Sequence, residues 1–153
     1  MRATQLLLVL AAAQSLSAAA ARADVAGGAT LFGVWRNPKD TVHVEIRPCG
    51  QSACGYAVWA SAGAQDAARK GSGKDLIGMQ LFRNFEAAKQ GEWRGEVYLP
   101  DHNLNIAGSA RLTGPNTLQA RGCLVRGLIC KSQAWVRVNA ASEASRSGAL
   151  GGG

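Results

Sequence analysis

Apolar and polar residues alternate one for one through most of this chain, and that period of two constrains its fold more than any other feature. In Thr41-Val42-His43-Val44-Glu45-Ile46-Arg47, the residues Val42, Val44 and Ile46 share one side and the polar residues the other. Glu92 to Leu99 repeats the pattern, with Trp93, Val97 and Leu99 against Arg94, Glu96 and Tyr98. Asn103 to Leu112 does so again through Leu104, Ile106, Gly108, Ala110 and Leu112. Successive side chains of a strand point to opposite faces, so such segments make half-buried strands. Eight are predicted, near residues 32–36, 41–47, 54–60, 76–84, 92–99, 103–112, 117–124 and 131–138. Turn signals part most of them: Asn37-Pro38-Lys39-Asp40, Lys89-Gln90-Gly91, Pro100-Asp101-His102 and Gly114-Pro115-Asn116. The longer link from Ser61 to Asp75 starts alanine-rich and continues Lys70-Gly71-Ser72-Gly73-Lys74. It reads as a mobile loop, with a helical turn at Gln65 to Arg69 as the alternative. Eight short strands so spaced predict an all-β fold, an eight-stranded antiparallel barrel, with a β-sandwich as the alternative. A barrel of that size is just wide enough to be filled by side chains or to hold one small ligand.

The N-terminus reads as a signal peptide over residues 1–23. Arg2 precedes a short run rich in leucine and alanine, and Ala21-Arg22-Ala23 forms a cleavage site before Asp24. The apolar run is shorter than the roughly 20 residues that span a bilayer, so no transmembrane segment is expected in the mature chain. The first cysteine is Cys49, too far from the cleavage site for a lipid-modified terminus. Cleavage leaves about 130 residues, enough for one modest domain, placed at residues 29–138. The tail, residues 139–153, is rich in alanine, serine and glycine and reads as disordered. The protein is therefore expected in the periplasm. Removing Arg2 and Arg22 takes the formal charge from +7 to +5. No block of like charges occurs, which argues against nucleic acid. A mildly basic surface suits solubility first and an anionic envelope component second.

Four cysteines in an exported domain predict two disulfides with three connectivities. They fall in close pairs around turn-forming residues, which favours Cys49 with Cys54 and Cys123 with Cys130; crossed pairing is the alternative. Neither pair has the C-x₂₋₄-C spacing of a zinc site.

Gly33-Val34-Trp35 resembles the G-x-W motif of lipocalin-like (calycin) barrels, where the tryptophan closes one end and an arginine of the last strand packs across it. Gln133-Ala134-Trp135-Val136-Arg137 supplies such an arginine at the right end of the chain. A wider resemblance covers residues 31 to 138. GVWRNP, IRPCGQSACGYAVW, LIGMQLF, GEWRGEVYLPD and GCLVRGLICKSQAWVRV, in that order and spacing, look like the exported bacterial family called domain of unknown function 2147. The resemblance implies a small lipocalin-like barrel in the envelope of Gram-negative bacteria. It implies structural roles for Gly33, Trp35, Trp135 and Arg137 and carries over no catalytic residue. Where many members have an Asp-Pro-x-x-Gly turn, this chain has Leu99-Pro100-Asp101-His102-Asn103.

The chemistry-bearing patterns fall short one by one. A phosphate loop at Gly71-Ser72-Gly73-Lys74-Asp75 would need glycine at Ala68 and serine or threonine at Asp75. The second glycine of Gly50-Gln51-Ser52-Ala53-Cys54-Gly55 comes one place late for a nucleophile elbow. His43 and Glu45 share a face with Thr41 and Arg47, so they read as the solvated outside of the barrel rather than as metal ligands with His102. Glu92 and Glu96 lie roughly 13 Å apart along one strand, too far for a glycosidase pair. No metal, cofactor or catalytic site is predicted. Trp93 and Val97 are expected to point inward, as are Tyr56 and Val58, and these four are the candidate ligand-lining residues. Gly95, Gly108, Ala110, Ala120 and Ala134 are candidates for leaving room beside them. Arg69, Lys70 and Lys74 are the candidate surface contact for an anionic partner. The expected function is binding of a small apolar or amphipathic ligand in the barrel; the alternatives are an envelope interaction protein with a filled barrel and, with least support, an enzyme.

Overall fold

The computed structural model describes residues 30–125 and 127–139. The segment read as a signal peptide, and the tail beyond Asn139, lie outside the described residues. Eight strands follow in chain order: β1 (Gly33–Arg36), β2 (Val42–Cys49), β3 (Ser52–Ala60), β4 (Gln80–Ala87), β5 (Glu92–Leu99), β6 (Leu104–Gly114), β7 (Thr117–Leu124) and β8 (Ile129–Arg137). Each pairs antiparallel with the next, and β8 returns to β1, so the sheet closes into a barrel. Closure leaves no free edge, which a sandwich would keep. The seam is short, with Trp35 opposite Arg137 and Arg36 opposite Val136. Val138 extends it by donating its N–H to the Val34 carbonyl at 2.8 Å.

The alternation seen in the sequence runs apolar inward. Val44 and Ile46 of β2 are buried, as are Ala110 of β6 and Leu118 of β7. Glu45 and Arg47 of β2 pair with each other outside, and Arg94 and Glu96 of β5 also face out. A barrel crossing a membrane has the opposite pattern, apolar outward. Among the described residues, no helix is long and apolar enough to cross a membrane.

The 61–75 link departs from expectation. It is no mobile loop but an eleven-residue helix, α1 (Ala62–Ser72), and β4 begins only at Gln80. The Ser61 hydroxyl caps its start by accepting the Ala64 N–H at 3.3 Å. Gly73 ends it in the left-handed region at φ 72°, returning its N–H to the Arg69 carbonyl. The glycines of Lys70-Gly71-Ser72-Gly73-Lys74 suggest flexibility. Gly71 packs instead: a β-carbon there would lie 2.3 Å from the carbonyl oxygens of Pro100 and Asp101. The helix is thereby seated on the β5–β6 turn.

Up-and-down connectivity gives the barrel two unlike ends. One gathers the chain before β1, the β2–β3 and β6–β7 turns and the end of β8. The other, the mouth, gathers the β1–β2 and β5–β6 turns, α1 and the β7–β8 hairpin. The two disulfides divide between them: Cys49–Cys54 staples β2 to β3 near the first end, and Cys123–Cys130 staples the hairpin at the mouth.

Candidate functional site

The end away from the mouth is shut by Trp35 and Arg137. Trp35 is fully buried, and its indole donates to the Leu31 carbonyl at 2.8 Å. The Arg137 guanidinium lies 4.1 Å from the centre of the Trp35 ring, a cation–π arrangement. Its nitrogens donate to the carbonyls of Phe32 at 2.8 Å, Pro115 at 3.3 Å and Thr30. Burial lowers the Arg137 pKa from its ordinary value, yet arginine keeps its charge throughout the range proteins meet. Gly33 makes the arrangement sterically open. Its φ is +127°, and a β-carbon would stand 2.6 Å from an Arg137 nitrogen.

Above this plug the lumen is only partly filled. Phe85 lies across the inward glycines, close to where β-carbons at Gly95 and Gly108 would stand. Beyond it a cavity of about 320 Å³ remains, walled by Phe82, Val97, Ile106, Ala110, Ala120 and Trp135. A second cavity of about 310 Å³ lies under α1, against Ala64, Ala67 and Ala68. The two share Phe82, Val97, Leu99, Gln133 and Trp135. The helix therefore roofs part of the lumen with alanine side chains rather than plugging it. Two polar side chains stand in line on one strand: the inward face of β8 presents Ile129, Lys131, Gln133 and Trp135 in turn from mouth to interior. The Trp135 indole meets Phe82 edge-on at 5.6 Å, and its buried N–H has no hydrogen-bond partner among the described residues.

The candidate lining residues divide. Val97 borders both cavities. Trp93 packs on the core toward the shut end, edge-on to Phe32 at 6.3 Å, and borders neither cavity. Tyr56 and Val58 correct the expectation, for both lie outside. A β-carbon at Gly55 would press on Phe82 and Val44, so Gly55 is the inward residue and Tyr56 points away. The Arg47 guanidinium covers the Tyr56 ring at 4.1 Å. Val58 falls where the β2–β3 register slips: Val44 is opposite Ala57 but His43 is opposite Trp59. That bulge leaves Val58 as the extra, exposed residue. Ala134 also faces out, since Gln133 and Trp135 take the inward positions.

His43 is a second correction. It lies on the outer face, as expected, but is 4% exposed rather than solvated. Its Nε2 is 2.7 Å from Asp40 Oδ1, and the Trp59 ring leans over it at 4.5 Å. Of the candidate surface cations, Arg69 is engaged, with Nε 2.8 Å from Asp75 and an outer nitrogen 3.4 Å from Asp66. Lys70 and Lys74 are exposed at the mouth end. Sequence reasoning missed Phe85, Gln133 and the alanines of α1; the period of two along β8 could have placed Gln133.

The family model described as "Uncharacterized protein conserved in bacteria (DUF2147)" matches residues 33–137. Among solved structures, protein HP1028 of Helicobacter pylori, described as belonging to the lipocalin family, superposes with a TM-score of 0.60 at 11% identity. The match covers 75% of this chain and 87% of that one. At that identity the likeness speaks to fold alone. No curated protein matches the sequence.

Proposed function

From the premise that this chain belongs to the bacterial DUF2147 family and builds its domain as a closed lipocalin-like barrel, we propose that it is an exported binding protein for one small amphipathic molecule. The lumen carries this reading: an apolar cavity of about 320 Å³, shut at one end by Trp35 and Arg137. Small-molecule sites are concave, mostly apolar and furnished with a few placed polar groups. Here Gln133 and Lys131 on β8 are those groups. An apolar body would lie against Phe82, Val97 and Ile106, with its polar end toward the mouth. At about 320 Å³ the first cavity lies at the lower end of the roughly 300–1,000 Å³ range of small-molecule sites. Small residues at Ala110, Ala120 and Gly122 line that space, which favours binding over an interaction protein with a filled barrel.

Export rests on the N-terminal sequence and on the two disulfides, which persist in oxidising compartments. Native mass spectrometry of protein purified from envelope extract tests the binding reading. A reproducible added mass, displaced by a fluorescent acyl probe, is expected. A clean ligand-free mass together with no probe uptake would overturn it.

A further inference from the structure

The tip of the β7–β8 hairpin holds two apolar side chains away from the protein. Val125 is 67% exposed and Leu128 82%, while Leu124 and Ile129 are exposed at the rim of the first cavity and Leu104 close by along the mouth. Closing the hairpin does not require them, because the strand ladder and the Cys123–Cys130 bridge already hold it. Turn tips ordinarily take polar residues. Single exposed leucines are commonplace, but apolar side chains gathered at one tip mark a contact surface.

The charges around the tip identify the kind of surface. From His102 to Ser142 the sequence contains no acidic residue, while Arg111, Arg121, Arg126, Lys131 and Arg137 fall within that stretch. β6, β7 and β8 stand side by side in the barrel, so this whole wall carries cations alone. Arg137 is held at the shut end, and Arg111 lies opposite Glu92 on β5. Among the described residues that leaves Arg121 of β7, exposed, and Lys131 of β8, at the rim of the lumen, toward the mouth. Lys70 and Lys74 add exposed cations at the same end, where Asp66 and Asp75 are occupied by Arg69.

We propose that the β7–β8 hairpin docks the barrel, mouth first, on an anionic lipid bilayer, with Val125 and Leu128 inserted at the headgroup boundary and the cations of the mouth end, Arg121, Lys131, Lys70 and Lys74, toward the lipid phosphates. An apolar tip ringed by basic groups is the chemistry of interfacial binding. A second copy fits less well, because a two-fold contact through this hairpin would set two cationic walls against each other. A soluble anionic polymer would use the cations and leave the apolar tip without a role. The proposal is independent of the lumen reading, since a barrel without a ligand would dock equally.

Flotation of the mature protein with phosphatidylcholine vesicles, with and without phosphatidylglycerol, tests it alongside the variant Val125→Ser/Leu128→Ser. Both side chains are exposed, so the variant should melt as the parent does. The parent should float with the anionic vesicles at low salt and less with the neutral ones, and the double variant should partition at least about tenfold more weakly. Leu128→Trp gives a reading that needs no loss of binding: its emission, as a difference from the parent, should shift to the blue on anionic vesicles. No flotation of the parent at low salt would overturn the proposal. So would unchanged binding by the double variant with no tryptophan shift, which means adsorption by charge alone. Self-association of the parent that the double variant abolishes would assign the tip to a second copy instead.

Discussion

Trp35 and Arg137 illustrate how one residue pair closes a barrel whose backbone seam is short. Strand β1 has four residues and meets β8 at two register positions. Arg137 supplements that seam with side-chain hydrogen bonds to Phe32 and Thr30 and with its position over the indole. Trp35→Ala should therefore cost about 3–5 kcal/mol of stability, the range of large-to-small changes at buried aromatics. Arg137→Lys should cost less, because lysine keeps the charge but loses the planar fork that serves ring and carbonyls together. Denaturant melts of the two single variants and the double variant should show a coupling of about 0.5 kcal/mol or more. Strict additivity would mean that the ring and the guanidinium do not act together. Gly33→Ala should destabilise by at least about 1 kcal/mol, since φ is +127° and the new carbon meets the guanidinium.

Helix α1 is the element whose sequence reads most differently from its structure. Alanine normally stabilises a helix interior over glycine by about 1 kcal/mol. At Gly71 the sign should reverse, because a β-carbon there meets two backbone carbonyls of the β5–β6 turn that cannot move aside as a side chain would. Gly71→Ala should lower stability by about 1–3 kcal/mol and loosen the helix over the second cavity. Faster hydrogen exchange across residues 62–72 than across the strands would register this; an unchanged or raised melting temperature would show that the helix does not seat there. The disulfides act on hairpins. Each closes a short loop, with sequence separations of 5 and 7, so replacing either pair by serine should cost about 2 kcal/mol by the chain-entropy account. Non-reducing peptide maps should show the two local crosslinks and no free thiol.

For the whole molecule, the open lumen is the property that leads to function. Filling it should separate binding from folding. Ala120→Leu places three more carbons against the apolar wall of the first cavity. It should cut uptake of a fluorescent acyl probe by about tenfold or more, an effect of about 1.4 kcal/mol, and leave the melting temperature near or above that of the parent. A variant that binds as the parent does would move the site out of this cavity. Processing belongs to this scale too: the mature protein should begin at Asp24, and N-terminal sequencing of the envelope fraction checks it.

Strand number, order and spacing were legible in the sequence because a barrel strand meets core on one face and water on the other, and that contrast imprints a period of two. The G-x-W motif with its distant arginine was legible for a similar reason: a glycine that must admit a guanidinium and a ring that must shut an end tolerate few substitutes. Tyr56 and Val58 were misread because the face a residue takes depends on register. One bulge between His43 and Val44 shifts the β2–β3 pairing, and no residue there announces it. Whether the lumen would be filled or open was likewise undecided by residue volumes along one chain. It depends on which inward side chains from different strands meet at one level, where Phe85 covers two glycines while Ala110 and Ala120 are left facing space. Only the closed barrel brings those positions together, so only the tertiary structure decides it.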